Sequence, residues 1–523
     1  MVKRIFPILL FAVLVARTAS AQLTLADVQT VIAQAVTRAT VLPMLNTNAV
    51  VAVTDREGWV LGVWSLNTNL LGDDNLVAEA IAKAGTAAFL SSDNNAFSSR
   101  TAGDIVQQHF PIGIRNKPPG PLVGVNFSQL SFSDINKFKA PGSVITYGSS
   151  PGLTLVAPPL PFTGGLEGTP GGVPLYINGA LVGGVGVAGN GVAPTNITPA
   201  RITKPDSDED VALAGQIGFA PPNKILGSKV LAAGIRLEYI ETKTKLTNVI
   251  SFASLPGMEI SPFTLTNSPA PFAYPVATIG GETGEVRQPI INDPSFVPLG
   301  AARLTDTEVL DIITAAANRC RTTRAGIRLP PGQPAEVFIT VVNNPGVDDA
   351  TPIVLGTFCT SPNTTRFSWD VCVQKARTAL LYSASNTACS TRTVGFLAQS
   401  FYPPGINGTL PGPLLGAQET NSSVTASSLV FTNPLNGAVF STMTNVNAAV
   451  PNGITIFPGG FPLYRNGVLI GAIGVSGDGV DQDDLISASG AALFPAPISI
   501  RADQMEYRGT RLPYAKFPRN PAL

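Results

Sequence analysis

The strongest constraint on this chain is that it is written twice. Gly171 to Val192 returns as Gly459 to Val480, with 14 of 22 positions identical. Smaller blocks recur in the same order: Leu23–Val28 with Leu304–Val309, Ser99–Thr101 with Thr391–Thr393, and Pro119–Gly124 with Pro411–Gly416. A repeat of this length specifies one folding unit used twice. Domain 1 is expected over residues 22–250 and domain 2 over 301–523. Residues 251–300, rich in Pro, Ser, Thr and Gly, read as an extended linker.

Each unit has the same grammar. Thr24-x-x-Asp27 and Thr305-x-x-Glu308 are capping-box starts. Val28, Val31, Ile32 and Ala35, like Val309, Ile312, Ile313 and Ala316, then follow helical spacing. In the first unit, apolar runs flank Asp55-Arg-Glu-Gly58, which predicts a hairpin. A second helix carries Lys83 or Lys375, and a third begins near Thr101 or Thr393. Asn178-Gly179 and Asn466-Gly467 each join two apolar strands, a strong short hairpin signal. The sum is an α+β fold with an antiparallel sheet flanked by helices.

The amino end, Met1-Val2-Lys3-Arg4 followed by an apolar run to Ala16 and then Ala19-Ser20-Ala21, reads as a signal peptide over residues 1–21. That run is short of the ~20 residues needed to span a bilayer. The expectation is therefore an exported protein (secreted, periplasmic or cell-surface) with no membrane span after cleavage. Export gives Cys320, Cys359, Cys372 and Cys389 the meaning of two disulfides. Three pairings are open, with a lean to Cys372–Cys389 because both flank one predicted helix. Lys plus Arg equals Asp plus Glu, 34 against 34, so no long-range field recruits nucleic acid. A single histidine excludes His-rich zinc sites and leaves an acyl-transfer triad only one possible base.

At Gly-Gly-x-Pro-Leu-Tyr-x-Asn-Gly the sequence resembles the GlcG/HbpS-type haem-binding family. The following Gly-x-Gly-Val-x-Gly strand, the acidic helix starts (Asp208-Glu209-Asp210; Asp483-Asp484) and the segments Lys83–Ala87 and Lys375–Ala379 extend the resemblance over most of each unit. The second unit departs from the glycine pattern at Ala472, and the loops are longer than the family usually carries. The resemblance implies two tandem profilin-like (GlcG-like) domains, α/β/α in layers, often oligomeric. Some members bind haem and relatives bind corrinoids.

Under that resemblance, His109 is the candidate iron ligand, since a neutral imidazole ligates iron well. Its counterpart is Phe401, so the position equally suits aromatic packing or a cation at a helix end. Lys83, Arg100, Lys375 and Arg392 occupy repeated positions and are candidates to meet haem propionates at a pocket edge. Ordinary surface solvation or carbonyl capping is the competing reading. Gly184-Val-Gly186-Val-Ala-Gly189 spells a dinucleotide motif, but it sits within a hairpin strand, so close backbone packing explains it better. The acidic runs Asp206–Asp210 and Asp478–Asp484 lack EF-hand spacing and suit a helix N-terminus without metal.

The expected function is non-covalent binding of haem or a similar tetrapyrrole by an exported, self-associating protein. The alternative is a structural or cell-surface assembly protein that uses the duplicated fold without a cofactor. An enzyme using Lys83 or Lys375 as base is weakest, because no nucleophile–base constellation accompanies either lysine.

Overall fold

The computed structural model describes residues 21–68, 74–106, 110, 120, 122, 167–191, 205–232, 234–261, 263–270, 274–326, 332–348, 350–399, 401–404, 406, 408–415, 430–432, 439–441, 449–450 and 453–516. Domain 1 runs α1 (Leu25–Thr40), β1 (Val50–Asp55), β2 (Val60–Ser65), α2 (Asp74–Leu90), α3 (Ser99–Ile105), β3 (Gly172–Ile177), β4 (Ala180–Ala188) and α4 (Ser207–Gly215). A two-residue ribbon, β5 (Leu231–Ala232) and β6 (Ile235–Arg236), follows, then β7 (Met258–Glu259), β8 (Val276–Ile279) and β9 (Glu282–Gln288). Domain 2 repeats the order as α5 (Asp306–Thr322), β10 (Phe338–Asn343), β11 (Val354–Cys359), α6 (Phe367–Leu381) and α7 (Thr391–Leu397). It continues with the ribbon β12 (Val430–Thr432) and β13 (Val439–Ser441), then β14 (Gly460–Arg465), β15 (Val468–Ser476), α8 (Val480–Ala491), and the ribbon β16 (Glu506–Tyr507) and β17 (Thr510–Arg511).

Both capping boxes form: Thr24 closes on Asp27 and Thr305 on Glu308. The Asn-Gly turns adopt the left-handed conformation that a two-residue hairpin requires, with φ of 52° and 82° at Asn178-Gly179 and 51° and 82° at Asn466-Gly467.

The sheets are antiparallel, ordered β3-β4-β1-β2-β7 and β14-β15-β10-β11-β9-β8. Their registers coincide. Val50 pairs with Ser65 and Ala188, and Phe338 pairs with Cys359 and Ser476. Even the bulges recur, after Val53 and Val341 and after Leu175 and Leu463. Alternation along β1 sends Val51 and Val53 to Val28, Val31, Ile32 and Val211 of α1 and α4. Val50 and Ala52 go to Val77, Ala80, Ile81 and Ala84 of α2. The result is the α/β/α layering that the resemblance implied.

Glycine sets how near α2 lies. A Cβ on Gly186 would stand 2.1 Å from the Ala80 carbonyl, and one on Gly184 would stand 2.3 Å from that of Ala84. The Gly-x-Gly run thus serves close helix–sheet packing, as its place in a strand indicated.

Residues 251–300 are not a free linker. Glu259 of β7 pairs with Trp64, adding an edge strand to domain 1. The β8–β9 hairpin adds to domain 2, with Val286 opposite Phe358. By register, Trp64 corresponds to Phe358, so one segment caps the same edge of both sheets. Its Pro and Gly content marks turns between edge strands, which composition alone does not distinguish from a spacer. Near the domain junction, the Arg287 guanidinium is buried over the Tyr274 ring, 4.0 Å from its centroid, with Trp369 and Phe338 alongside.

The expected disulfides are not present. All four cysteines are buried thiols, and the sulfurs of Cys320, Cys359 and Cys372 are directed at separate carbonyls, those of Ala335, Ser361 and Trp369. Burial pushes the Cys320, Cys359 and Cys389 thiols up, away from the reactive thiolate. Among the described residues no helix is long and apolar enough to cross a membrane.

Candidate functional site

The repeated lysines and acidic helix starts, which the sequence offers as separate features, meet inside each domain. Lys83 on α2 is fully buried, and its Nζ lies 2.9 Å from Asp208 Oδ2 at the first turn of α4. Glu79, one turn earlier on α2, contributes a second carboxylate oxygen at 2.7 Å. Glu167, also buried, acts on the same ammonium and anchors its own strand entry by accepting from the Thr169 N–H at 2.7 Å. Gly171, at φ 122°, lets the backbone pass over the lysine stem, since a Cβ there would meet Asp208 Cβ at 2.8 Å and Lys83 Cδ at 3.3 Å.

Charge balance governs this cluster. Burial lowers the lysine's affinity for its proton, but Asp208, Glu79 and Glu167 outweigh that and raise it, so Lys83 is an ammonium. Burial pushes the Asp208 carboxyl up to about 7, against the pull of Lys83, and raises Glu167 as well. Three carboxylates around one cation leave the group acid-rich, and it takes up a proton near neutrality.

A second pair stands beside the first. Arg100 grips Glu209 in a bidentate fork, 2.7 and 3.0 Å, with both side chains buried. In domain 2, Lys375 Nζ lies 2.7 Å from Asp483 and donates to the Val475 carbonyl at 2.8 Å. Arg392 reaches Asp484 at 3.0 Å and Asp481 at 2.9 Å, and Lys516 also pairs with Asp481. Ser99 and Thr391, each beside its arginine, accept from the Gly172 and Gly460 N–H at 2.8 and 2.9 Å.

The four cations therefore do not line a pocket rim, as the sequence reading expected. They tie the N-terminus of the last helix to the second and third helices. The acidic runs are their partners, and the helix dipole is only part of what holds those carboxylates. Glu79 and Glu167 were missed in the sequence. The Glu79–Lys83 spacing was a readable signal, whereas Glu167 is far from Lys83 in the chain and carried none. His109 lies outside the described residues.

Next to this network, a cleft of about 540 Å³ is lined by Pro205, Asp206, Ser207, Asp210, Glu241, Thr242 and Lys243. Its lining residues are mostly polar or charged, and one of them, Asp210, is held by Arg38 at 2.6 Å. Among the described residues no group of three or more His, Cys, Asp and Glu side chains is arranged to hold a metal ion.

Residues 304–492 match a family model described as haem degrading protein HbpS-like. Domain 2 is thus similar to the HbpS-like family. Domain 1 lies outside that match, but it shares the register, bulges and buried lysine of the HbpS-like domain and is a second copy of its fold. Solved structures similar to the chain include the PduOC:heme complex, at 19% identity, covering 38% of this chain and 98% of that one, TM-score 0.24. HbpS follows at 18% identity, covering 37% and 92%, TM-score 0.22. The Klebsiella pneumoniae protein ORFY, of family DUF336, has 18% identity, covers 37% and 91%, and has a TM-score of 0.22. No curated protein matches the chain.

Proposed function

We propose that this protein is an exported, self-associating binder of haem or a similar flat tetrapyrrole, held without a covalent link. The observation that carries this reading is the match of residues 304–492 to the HbpS-like model. Lys83, Arg100, Lys375 and Arg392 are committed to internal carboxylates. They act on a ligand indirectly, by fixing the helices and hairpins around it, and the propionates meet other residues. His109 is the residue to test first as the iron ligand.

Haemin titration of the purified protein, followed by visible absorption, tests the reading. A saturable Soret band at one or two haems per chain is the expected result, and a flat titration rejects tetrapyrrole binding. Loss of the band in His109→Ala assigns the ligand. Its survival there, with loss in a domain 2 variant, places the site in the HbpS-like domain.

A further inference from the structure

The buried lysine of domain 1 is placed as a reactant as well as an ion-pair partner. Lys83 Nζ touches Asp208 Oδ2 at 2.9 Å, and both side chains are fully buried. The other carboxyl oxygen, Asp208 Oδ1, accepts the Asn190 N–H at 3.1 Å, just past the end of β4. Glu79 Oε1 stands 2.7 Å from the same Nζ. Gly171 closes over the pair, where a Cβ would meet both Asp208 Cβ and Lys83 Cδ. An amine against a carboxyl group, a donor on the oxygen where charge develops and a carboxylate able to take the amine's proton are the parts of an acyl transfer.

We propose that Lys83 and Asp208 condense to an isopeptide bond, with Glu79 as the proton carrier. Glu79 takes one proton from the ammonium, and the freed Nζ lone pair forms a bond to Cγ of the protonated Asp208. The Asn190 N–H steadies the negative charge on Oδ1, which becomes the amide oxygen. The Cγ–Oδ2 bond then breaks, and that hydroxyl leaves as water with a second proton from the nitrogen. The amide keeps the third hydrogen, and Glu79 releases its proton to solvent. Nothing is oxidised or reduced, and no activating group is consumed. Protonated Asp208 is at hand because burial pushes its carboxyl up to about 7. In water the amine and the acid stay apart as ions, whereas here one neutral amide replaces two buried charges and relieves their desolvation.

The bond ties α2 to the first turn of α4 across 125 residues, in a domain that contains no cysteine to do the same. Domain 2 keeps the ion pair. Its Lys375 Nζ lies 2.7 Å from Asp483 Oδ2, but the residue four places earlier is Val371, which cannot carry a proton. The reaction needs no tetrapyrrole and is independent of where one binds.

Tryptic digestion of the denatured full chain, followed by tandem mass spectrometry, tests this. The expected product is a branched peptide joining Lys83 to Asp208, one water lighter than the sum of its linear parts, with no cleavage after Lys83. Cleavage after Lys375 should be normal. Glu79→Gln should stay unlinked, with circular dichroism showing that it is folded. Linear peptides carrying Lys83 and Asp208 in the parent overturn the proposal whatever the variant does. So does a water lost at Asp208 alone, by succinimide closure, because trypsin then still cuts after Lys83. A branched peptide in Glu79→Gln, or one joining Lys375 to Asp483, overturns the assignment of Glu79.

Discussion

Domains 1 and 2 bury the same lysine in the same place and surround it differently. Lys83 and Lys375 both lie on the second helix, beneath a glycine of positive φ, with an aspartate from the first turn of the last helix within 2.9 Å. Four residues before Lys83 stands Glu79, whereas the equivalent position before Lys375 is Val371. Glu167 and Thr455 are likewise equivalent, since their N–H groups are accepted by Thr86 and Thr378 at matching positions. The Lys–Asp pair is thus what the fold requires in both copies, and the two added glutamates are what domain 1 alone carries. A buried ion pair that recurs where the surrounding side chains have diverged fixes the docking of the last helix, and the additions change how the site titrates and how strongly it depends on its lysine.

The largest effect should come from removing the cation. Lys83→Met leaves Asp208, Glu79 and Glu167 without their common partner, and breaking a buried pair costs about 3–5 kcal/mol. Lys375→Met removes an ammonium whose surroundings lack the counterparts of Glu79 and Glu167, so its cost at neutral pH should be smaller. Chemical denaturation followed by Trp fluorescence and by far-UV circular dichroism measures both. Equal losses would remove the energetic distinction between the domains.

Much of this fold was readable because local signals agreed with one another. The Thr24 and Thr305 caps, the Asn-Gly turns and the period-matched apolar runs all pointed to the same elements. What the sequence hid was distance in the chain. Arg100 and Glu209 are separated by 109 residues, and nothing in either local pattern joins them. The four cations look like surface groups because Lys and Arg are ordinarily exposed, and only the tertiary partners reveal Lys83, Arg100 and Lys375 as buried and Arg392 as partly buried. Within residues 251–300, the two-residue β7 leaves almost no periodicity to read, and β9 pairs with β11, a partner far along the chain.

A second test uses the glycine stripe, where the domains differ by one methyl group. Gly184 faces the Ala84 carbonyl at a distance that admits no Cβ, and its counterpart in domain 2 is Ala472. The helix of domain 2 already accommodates that methyl. Gly184→Ala should therefore destabilise domain 1 by about 1–3 kcal/mol through overpacking. Ala472→Gly should cost less, about 1 kcal/mol at most from strand entropy and a small void. Denaturation midpoints of the two variants decide the matter. A neutral Gly184→Ala would show that α2 can accommodate the methyl as α6 accommodates that of Ala472.

The smallest effect is the most specific to domain 1. Asp208 is pushed up to about 7 by burial, opposed by Lys83 and reinforced by Asp206 and Glu79, and Glu167 is also raised, chiefly by burial. In the unfolded chain such groups titrate near 4. Between those values the folded domain holds more protons than the unfolded one. Its stability contribution is therefore complete below about pH 4 and is lost as the pH rises to about 7. Glu167→Gln removes one raised carboxyl from around Lys83 while keeping its shape. The variant should lose less stability over this interval than the parent, by about 1.4 kcal/mol for each unit of raised pKa it abolishes. Thermal melts of both proteins at pH 4 and pH 7 give the comparison, and other titrating groups cancel between them. Parallel pH dependence would mean that Glu167 does not contribute to the pH dependence of domain 1.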